Sequence, residues 1–211
     1  MREPIRIVVL ARAPIPGRAK SRLVPRLGLW GAARLQARLI ERTLRTARAA
    51  RIGRIELHGA PRARSAFFLR SARRFDAALH AQRGRDLGER MQRALACALR
   101  RARAALLIGT DCPVISVRDL RRAARSLQGG ADAVLAPAED GGYGLIGLRR
   151  ADPRAFRDIA WGSGTVYAAT RKRMDALGWR VRAQRSIWDL DRPEDLTRRL
   201  ALRARVRGGA P

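Results

Sequence analysis

Leu106-Leu107-Ile108-Gly109-Thr110-Asp111-Cys112-Pro113 decides the fold, because an apolar run breaks off there in a carboxylate, a thiol and a proline. Ala104 to Ile108 is apolar on both faces, as a central parallel strand is when helices cover both sides of a sheet. Ligands of open α/β sheets sit just past the carboxyl ends of such strands, and Asp111 falls at that place. A carboxylate there can hold a divalent cation against a substrate phosphate, since Mg2+ takes hard oxygen ligands. It can equally cap the next turn, and this stretch alone leaves both readings open.

Outward from that strand, apolar segments alternate with amphipathic ones. Ile5 to Leu10 reads as a first strand and runs into Ala13-Pro14-Ile15-Pro16-Gly17-Arg18-Ala19-Lys20-Ser21-Arg22-Leu23. Two prolines stiffen this loop, Gly17 permits close approach of backbone to a ligand, and Arg18, Lys20 and Arg22 can bring cationic groups to one spot. A loop after the first strand of an α/β sheet is where such folds hold phosphates, although an ordinary basic loop is the plainer reading. Gly31 to Ala50 is an amphipathic helix, with Leu35, Leu39, Ile40 and Leu44 on one face. Arg54 to His58 reads as a strand whose last residue, His58, is structural rather than catalytic. A helix is expected over Arg62 to Arg73.

Gln82-Arg83-Gly84-Arg85-Asp86-Leu87-Gly88-Glu89-Arg90-Met91 then interrupts the pattern before a helix through Arg103. Asp86 with Glu89 three residues on has the spacing of a capping box, which leaves Gln82, Gly84 and Gly88 unexplained. Ser116 and Asp119 repeat that spacing ahead of a helix to Leu127. Asp132 to Pro137 is a strand that delivers Ala138-Glu139-Asp140-Gly141-Gly142-Tyr143-Gly144, two acids beside paired glycines. A glycine turn explains Gly141 and Gly142 but not Glu139 and Asp140. Trp161-Gly162-Ser163-Gly164-Thr165 precedes a helix to Leu177, and Trp179 to Ala183 is a late strand. In Trp188-Asp189-Leu190-Asp191-Arg192-Pro193, Asp189 and Asp191 lie two apart on an extended segment and so point the same way, and Pro193 opens a last helix.

A chain of 211 residues suits one sizeable α/β domain, expected over residues 1–202 with a disordered tail over 203–211. No apolar run approaches the roughly 20 residues of a membrane span, and no export signal is apparent at the N-terminus, so the protein is expected in the cytoplasm and off the membrane. Cys97 and Cys112 lack the spacing of a zinc site, and a disulfide between them is not expected. The formal charge is +28, and 44 of the 46 basic residues are arginines. Such a balance can mark a nucleic-acid binder. These arginines, however, are spread along the chain and interleaved with alanine, and aromatics make up only 5%, too few for stacking platforms. Specific nucleic-acid binding is therefore not expected. A non-enzymatic polyanion binder stands as the third reading.

The motifs around Lys20, Gln82 to Met91, Gly109 to Pro113, Pro137 to Tyr143, Trp161-Gly162 and Asp189 to Leu196 follow one order over nearly the whole chain. In that order the chain resembles the bacterial glycosyltransferase-like family labelled arsenosugar-biosynthesis glycosyltransferases, within the nucleotide-diphospho-sugar transferase superfamily. The resemblance implies a single-domain GT-A-like, Rossmann-like α/β/α sandwich with a mostly parallel central sheet. It implies phosphate and nucleotide contacts from Pro16, Gly17, Arg18, Lys20, Arg22, Asp86 and Gly88, and a Mg2+ or Mn2+ ion shared by Asp111 and Asp191. Gly141, Gly142, Tyr143 and Trp161 would line a sugar or acceptor pocket, with Asp140 or Glu139 orienting or deprotonating an acceptor hydroxyl. Ser21 and Gly144 depart from the family pattern, which commonly has threonine and an aromatic there.

The partner so implied is a nucleotide-activated small molecule, and the sequence does not define the oligomeric state. The stretch Ala19 to Leu23 also resembles the guanylyltransferases of deazaflavin cofactor synthesis. Nucleotidyl transfer from a nucleoside triphosphate to a phosphorylated acceptor is therefore the alternative to glycosyl transfer from a nucleotide-diphospho-sugar.

Overall fold

Hydrophobic strands flanked by one-sided helices leave this chain one economical arrangement, a sheet between two helix layers. The computed structural model describes residues 3–198 and has that arrangement. Seven strands, β1 (Glu3–Arg12), β2 (Arg54–Ala60), β3 (Ala77–Ala81), β4 (Ala102–Gly109), β5 (Ala133–Pro137), β6 (Tyr143–Leu148) and β7 (Val181–Ala183), form one sheet in the order β3-β2-β1-β4-β6-β5-β7. Its pairs are parallel except those that β6 makes with β4 and β5. The expected tail over 203–211 lies outside the described residues, as does the end of the expected 1–202 domain.

Helices α1 (Val24–Ala50), α2 (Ala66–Phe75) and α4 (Val117–Gln128) cover one face, and α3 (Leu87–Leu99) and α5 (Val166–Ala176) the other. Alternation along β1 assigns its side chains: Ile5, Ile7 and Val9 pack with Ile40, Leu44, Phe68 and Leu120, while Val8 joins Leu95, Leu107 and Met174. Both faces of β1 and β4 are thus apolar, which is why Leu106 to Ile108 reads as a continuous hydrophobic run.

Several boundaries differ from expectation for physical reasons. Helix α1 begins at Val24 rather than Gly31, with a break at Gly28 (φ 68°) that separates a first turn opened by Pro25. Strand β2 continues through Ala60, so His58 lies inside it, buried, and not at its end. The region expected to run as one helix from Asp86 to Arg103 ends at Leu99, and β4 starts at Ala102. Both expected caps form: Ser116 and Asp119 exchange backbone hydrogen bonds as a complete capping box, and Asp86 Oδ1 accepts from the Glu89 amide at 2.8 Å. Glu89 reaches back one residue further than a box requires, to the Arg85 amide at 2.9 Å. Cys97 and Cys112 are free thiols, and among the described residues no helix is long and apolar enough to cross a membrane.

Candidate active site

The carboxyl ends of β1 and β4, with the turn into β6, open onto one cavity of about 660 Å3, within the range of small-molecule sites. Its acidic side is built by Asp111, Asp140 and Asp189. Asp111 follows β4 by two residues. Asp140 lies in the turn between β5 and β6, where its Oδ1 accepts from the Gly142 amide at 2.9 Å and its Oδ2 has no hydrogen bond among the described residues. The Asp189 segment is carried to the sheet end by the Leu190 amide, which donates to the Asp111 carbonyl at 2.8 Å. Burial, followed by the neighbouring Asp140 carboxylate, raises the Asp189 pKa above its ordinary value.

Lys20 joins the first loop to this acidic side. Its backbone is left-handed (φ 50°), and its side chain, 4% exposed, places Nζ 2.5 Å from Asp111 Oδ1 and 3.8 Å from Asp191 Oδ1. The same ammonium donates to the Leu190 carbonyl at 2.6 Å. Arg22 takes the other oxygen of Asp191 at 2.5 Å. One ammonium therefore already stands between Asp111 and Asp191, and the position it fills suits a cation shared by two hard oxygen donors.

Arg12, Arg90, Gln82 and Met91 also line the cavity. Gln82 is fixed by two donations from Nε2, to the carbonyls of Ala11 at 2.9 Å and His58 at 2.8 Å. A buried glutamine beneath the floor, Gln36, bonds Thr110 Oγ1 at 3.2 Å and the Arg12 carbonyl at 3.3 Å, and so ties the ends of β1 and β4 together. Arg90 Nε is held by the Gly84 carbonyl at 3.1 Å.

Of the residues singled out from sequence, Asp111, Asp140, Gly142, Tyr143 and Trp161 line this cavity. Lys20, Arg22 and Asp191 form the ion-pair cluster beside it. Glu139 turns away to an exposed pair with Arg198 at 2.8 Å. Asp86 is occupied as the cap of α3. Gly88 lies under Trp161, where a side chain would come within 2.3 Å of the indole, and Trp161 in turn stacks on Phe156 with ring centroids 6.5 Å apart. Gly141 accepts from the Tyr167 amide at 2.8 Å, anchoring the acidic turn to the first turn of α5. Pro16, Gly17 and Arg18 stay on the first loop, outside the lining. Gly144 has no room for an aromatic, since a Cβ there would lie 2.4 Å from Cys112 Sγ and 2.5 Å from Ile187. The Cys112 thiol is pushed up by burial and then by Asp111, so it stays protonated and serves as packing.

Arg12, Arg90 and the cavity-lining position of Asp189 belong to the site without being apparent from the sequence. Arg12 and Arg90 carried no local mark among 44 arginines. The two-residue spacing of Asp189 and Asp191 was visible, but which of them faces the cavity depends on the Leu190 to Asp111 pairing.

A family model described as an uncharacterized protein conserved in bacteria (DUF2064) matches residues 43–163, more than half of the chain. The chain belongs to that family. The match carries Asp111, Asp140 and Trp161, while Lys20 and the Asp189 to Asp191 segment lie on either side of it. The structure is similar to one from Desulfovibrio desulfuricans G20, provisionally assigned as a nucleotide-diphospho-sugar transferase, with 29% identity over 90% of this chain and 83% of that one and a TM-score of 0.81. The fold is shared with CMP:2-keto-3-deoxy-manno-octonic acid synthetase, solved with CTP (12% identity, 96% and 99% coverage, TM-score 0.60). A Mycobacterium tuberculosis H37Rv protein solved with manganese also shares it (23% identity, 93% and 97% coverage, TM-score 0.56). No protein of curated function matches the sequence.

Proposed function

We propose that this DUF2064 member is a metal-dependent transferase that binds a nucleotide-diphospho-sugar across the ends of β1 and β4 and passes the sugar to a hydroxyl-bearing acceptor. The observation that carries the reading is the lining of the cavity, which brings the carboxylates of Asp111, Asp140 and Asp189 together with the guanidinium groups of Arg12 and Arg90. The likeness to the Desulfovibrio desulfuricans protein, whose provisional assignment is to this class, supports it.

The carboxylates of Asp111 and Asp191 are the hard oxygen donors that Mg2+ or Mn2+ takes, and an ion shared by them would displace the Lys20 ammonium that pairs with both. Such an ion, when bound, neutralises charge that gathers on the leaving diphosphate. Lys20 would keep the first loop in place through the Leu190 carbonyl, and Arg12 and Arg90 would supply donors for phosphate oxygens. Asp140, which lines the cavity and has Oδ2 unengaged among the described residues, accepts the proton of the acceptor hydroxyl. Glu139, paired with Arg198, has no such access.

The test is to incubate the untagged protein with Mg2+ or Mn2+ and a panel of nucleotide sugars and nucleoside triphosphates. Release of nucleoside diphosphate from a nucleotide sugar is the expected result. Pyrophosphate release from a triphosphate, with no nucleotide sugar consumed, would move the assignment to nucleotidyl transfer.

A further inference from the structure

On the α3 face of the sheet, away from the carboxylate cluster, three side chains meet that the reaction above does not use. Glu56 and His58 are two apart on β2 and so share a face, and the parallel register sets His58 beside His80 on β3. Glu56 Oε2 lies 3.1 Å from His58 Nε2 and 4.0 Å from His80 Nε2, and one ligand atom from each residue falls within 4.8 Å of the others. The two imidazoles stack, with centroids 4.8 Å apart.

A buried Glu56–His58 pair explains those two residues but not His80. The His80 Nε2 atom is buried and without a hydrogen-bond partner among the described residues, and 4.0 Å is too far for a hydrogen bond to Glu56. An orphaned imidazole nitrogen beside a carboxylate and a second imidazole calls for an occupant. A tetrahedral ion with bonds of about 2.0–2.1 Å separates its ligand atoms by roughly 3.3 Å, and the observed 3.1 and 4.0 Å bracket that spacing.

We propose that Glu56 Oε2, His58 Nε2 and His80 Nε2 form a site for a divalent transition-metal ion of the zinc class, with solvent in the fourth position. Two imidazoles and one carboxylate favour Zn2+ or Co2+ over Mg2+, which sets this site apart from the all-oxygen cluster around Asp111. Arg6 fixes the carboxylate from behind, bonding Glu56 Oε1 at 2.6 Å, as outer partners of metal ligands do. Strand β3 is a sheet edge, and the His80 side chain, 29% exposed, provides the entrance. An ion here staples the edge strand to β2, one residue before Gln82 and the cavity wall.

The test uses untagged, chelator-treated full-length protein titrated with Co2+ in excess Mg2+, then displaced with Zn2+. One equivalent of Co2+ with visible absorption bands is expected, together with a rise in melting temperature on Zn2+ addition. His80→Phe keeps a stacking ring and removes the nitrogen. It should weaken Co2+ binding more than roughly tenfold, the least that loss of an outer partner alone costs, and abolish the thermal shift. His80→Asn, checked for folding by circular dichroism, serves as the second variant. Absence of the visible band, an undiminished band in both variants, or a thiolate charge-transfer band placing the ion on Cys97 or Cys112 would overturn the site.

Discussion

Lys20 Nζ lies 2.5 Å from Asp111 Oδ1 although the two residues come from different loops, one after β1 and one after β4. The lysine end is buried and the aspartate end half exposed, with side-chain exposures of 4% and 51%. The contact therefore holds the first loop in place and still leaves the carboxylate open to a ligand.

That asymmetry predicts different outcomes for the two partners. Lys20→Met strands the Leu190 carbonyl and the buried end of the pair, and should cost about 1–3 kcal/mol of stability. Asp111→Asn keeps an acceptor in a hydrated position and should cost under about 1 kcal/mol, while abolishing metal-dependent nucleotide binding. Chemical denaturation and calorimetric titration of both variants check this. Unchanged metal-dependent affinity in Asp111→Asn would remove Asp111 from the metal site.

Gly88→Ala tests the packing that shapes the cavity wall. A methyl group there meets the Trp161 ring at 2.3–2.4 Å, so either the indole or the first turn of α3 must move, at a cost of about 1–3 kcal/mol. In the Gly88→Ala, Trp161→Ala double variant the glycine change should cost much less, because the colliding ring is gone. Additive losses in a thermal unfolding cycle would contradict this account.

Much of the fold is legible locally, and what is not shares one cause. The strand at Leu106 to Ile108 and the caps at Asp86 and Ser116 are set by nearest neighbours in sequence. Strand β3, with sequence Ala-Ala-Leu-His-Ala, has no β-branched residue and is a strand because β2 offers it an edge. Strand β6 is diluted by Gly144 and Gly147, glycines demanded by side chains from β4 and the Asp111 loop. In the site, Asp111 and Asp140 stand out just past strand ends, whereas Arg12 closes β1 as one arginine among 44, and Arg90 and the Glu56, His58 and His80 group depend on sheet order, which no local pattern reports.

The ion pair between Asp119 and Arg185 makes stability depend on acid. Burial alone would raise the Asp119 carboxyl, but hydrogen bonds from Arg185 and Ser116 outweigh it and hold the pKa below its ordinary value. A folded-state pKa below the unfolded one means stability that is full above about pH 4 and lost as pH falls through the folded value. Asp119→Asn should cost roughly 1.5–3 kcal/mol at pH 7, and the difference from wild type should shrink steadily below pH 4. A difference that stays constant to pH 2 in denaturant titrations would count against it.

The net charge of +28 predicts adhesion without selectivity. Binding to duplex DNA should be indifferent to sequence and fall steeply with salt, by orders of magnitude between about 50 and 200 mM if six or more phosphates are contacted. Filter binding across salt concentrations with two unrelated duplexes measures this. A tight, sequence-selective complex at physiological salt would place nucleic acid ahead of the nucleotide sugar as partner.

The two acids of the β5–β6 turn, equivalent in sequence, differ in their surroundings. Glu139 is engaged by Arg198 on an exposed surface, whereas Asp140 faces the cavity with one oxygen fixed by Gly142 and the other unengaged. A general base must have an oxygen free for the proton and a backbone that fixes its direction, and only Asp140 meets both conditions. Asp140→Ala should therefore slow sugar transfer or donor hydrolysis by about 10²–10⁴-fold, the usual contribution of a positioned base, while changing donor affinity by less than roughly threefold. Glu139→Ala should leave the rate within about threefold of wild type, because a solvated pair of this kind contributes little to its surroundings. Steady-state kinetics with direct measurement of donor binding separates the two effects. A larger loss in Glu139→Ala than in Asp140→Ala would reverse the assignment, and a loss confined to donor affinity in Asp140→Ala would make that residue a binding group instead of a base.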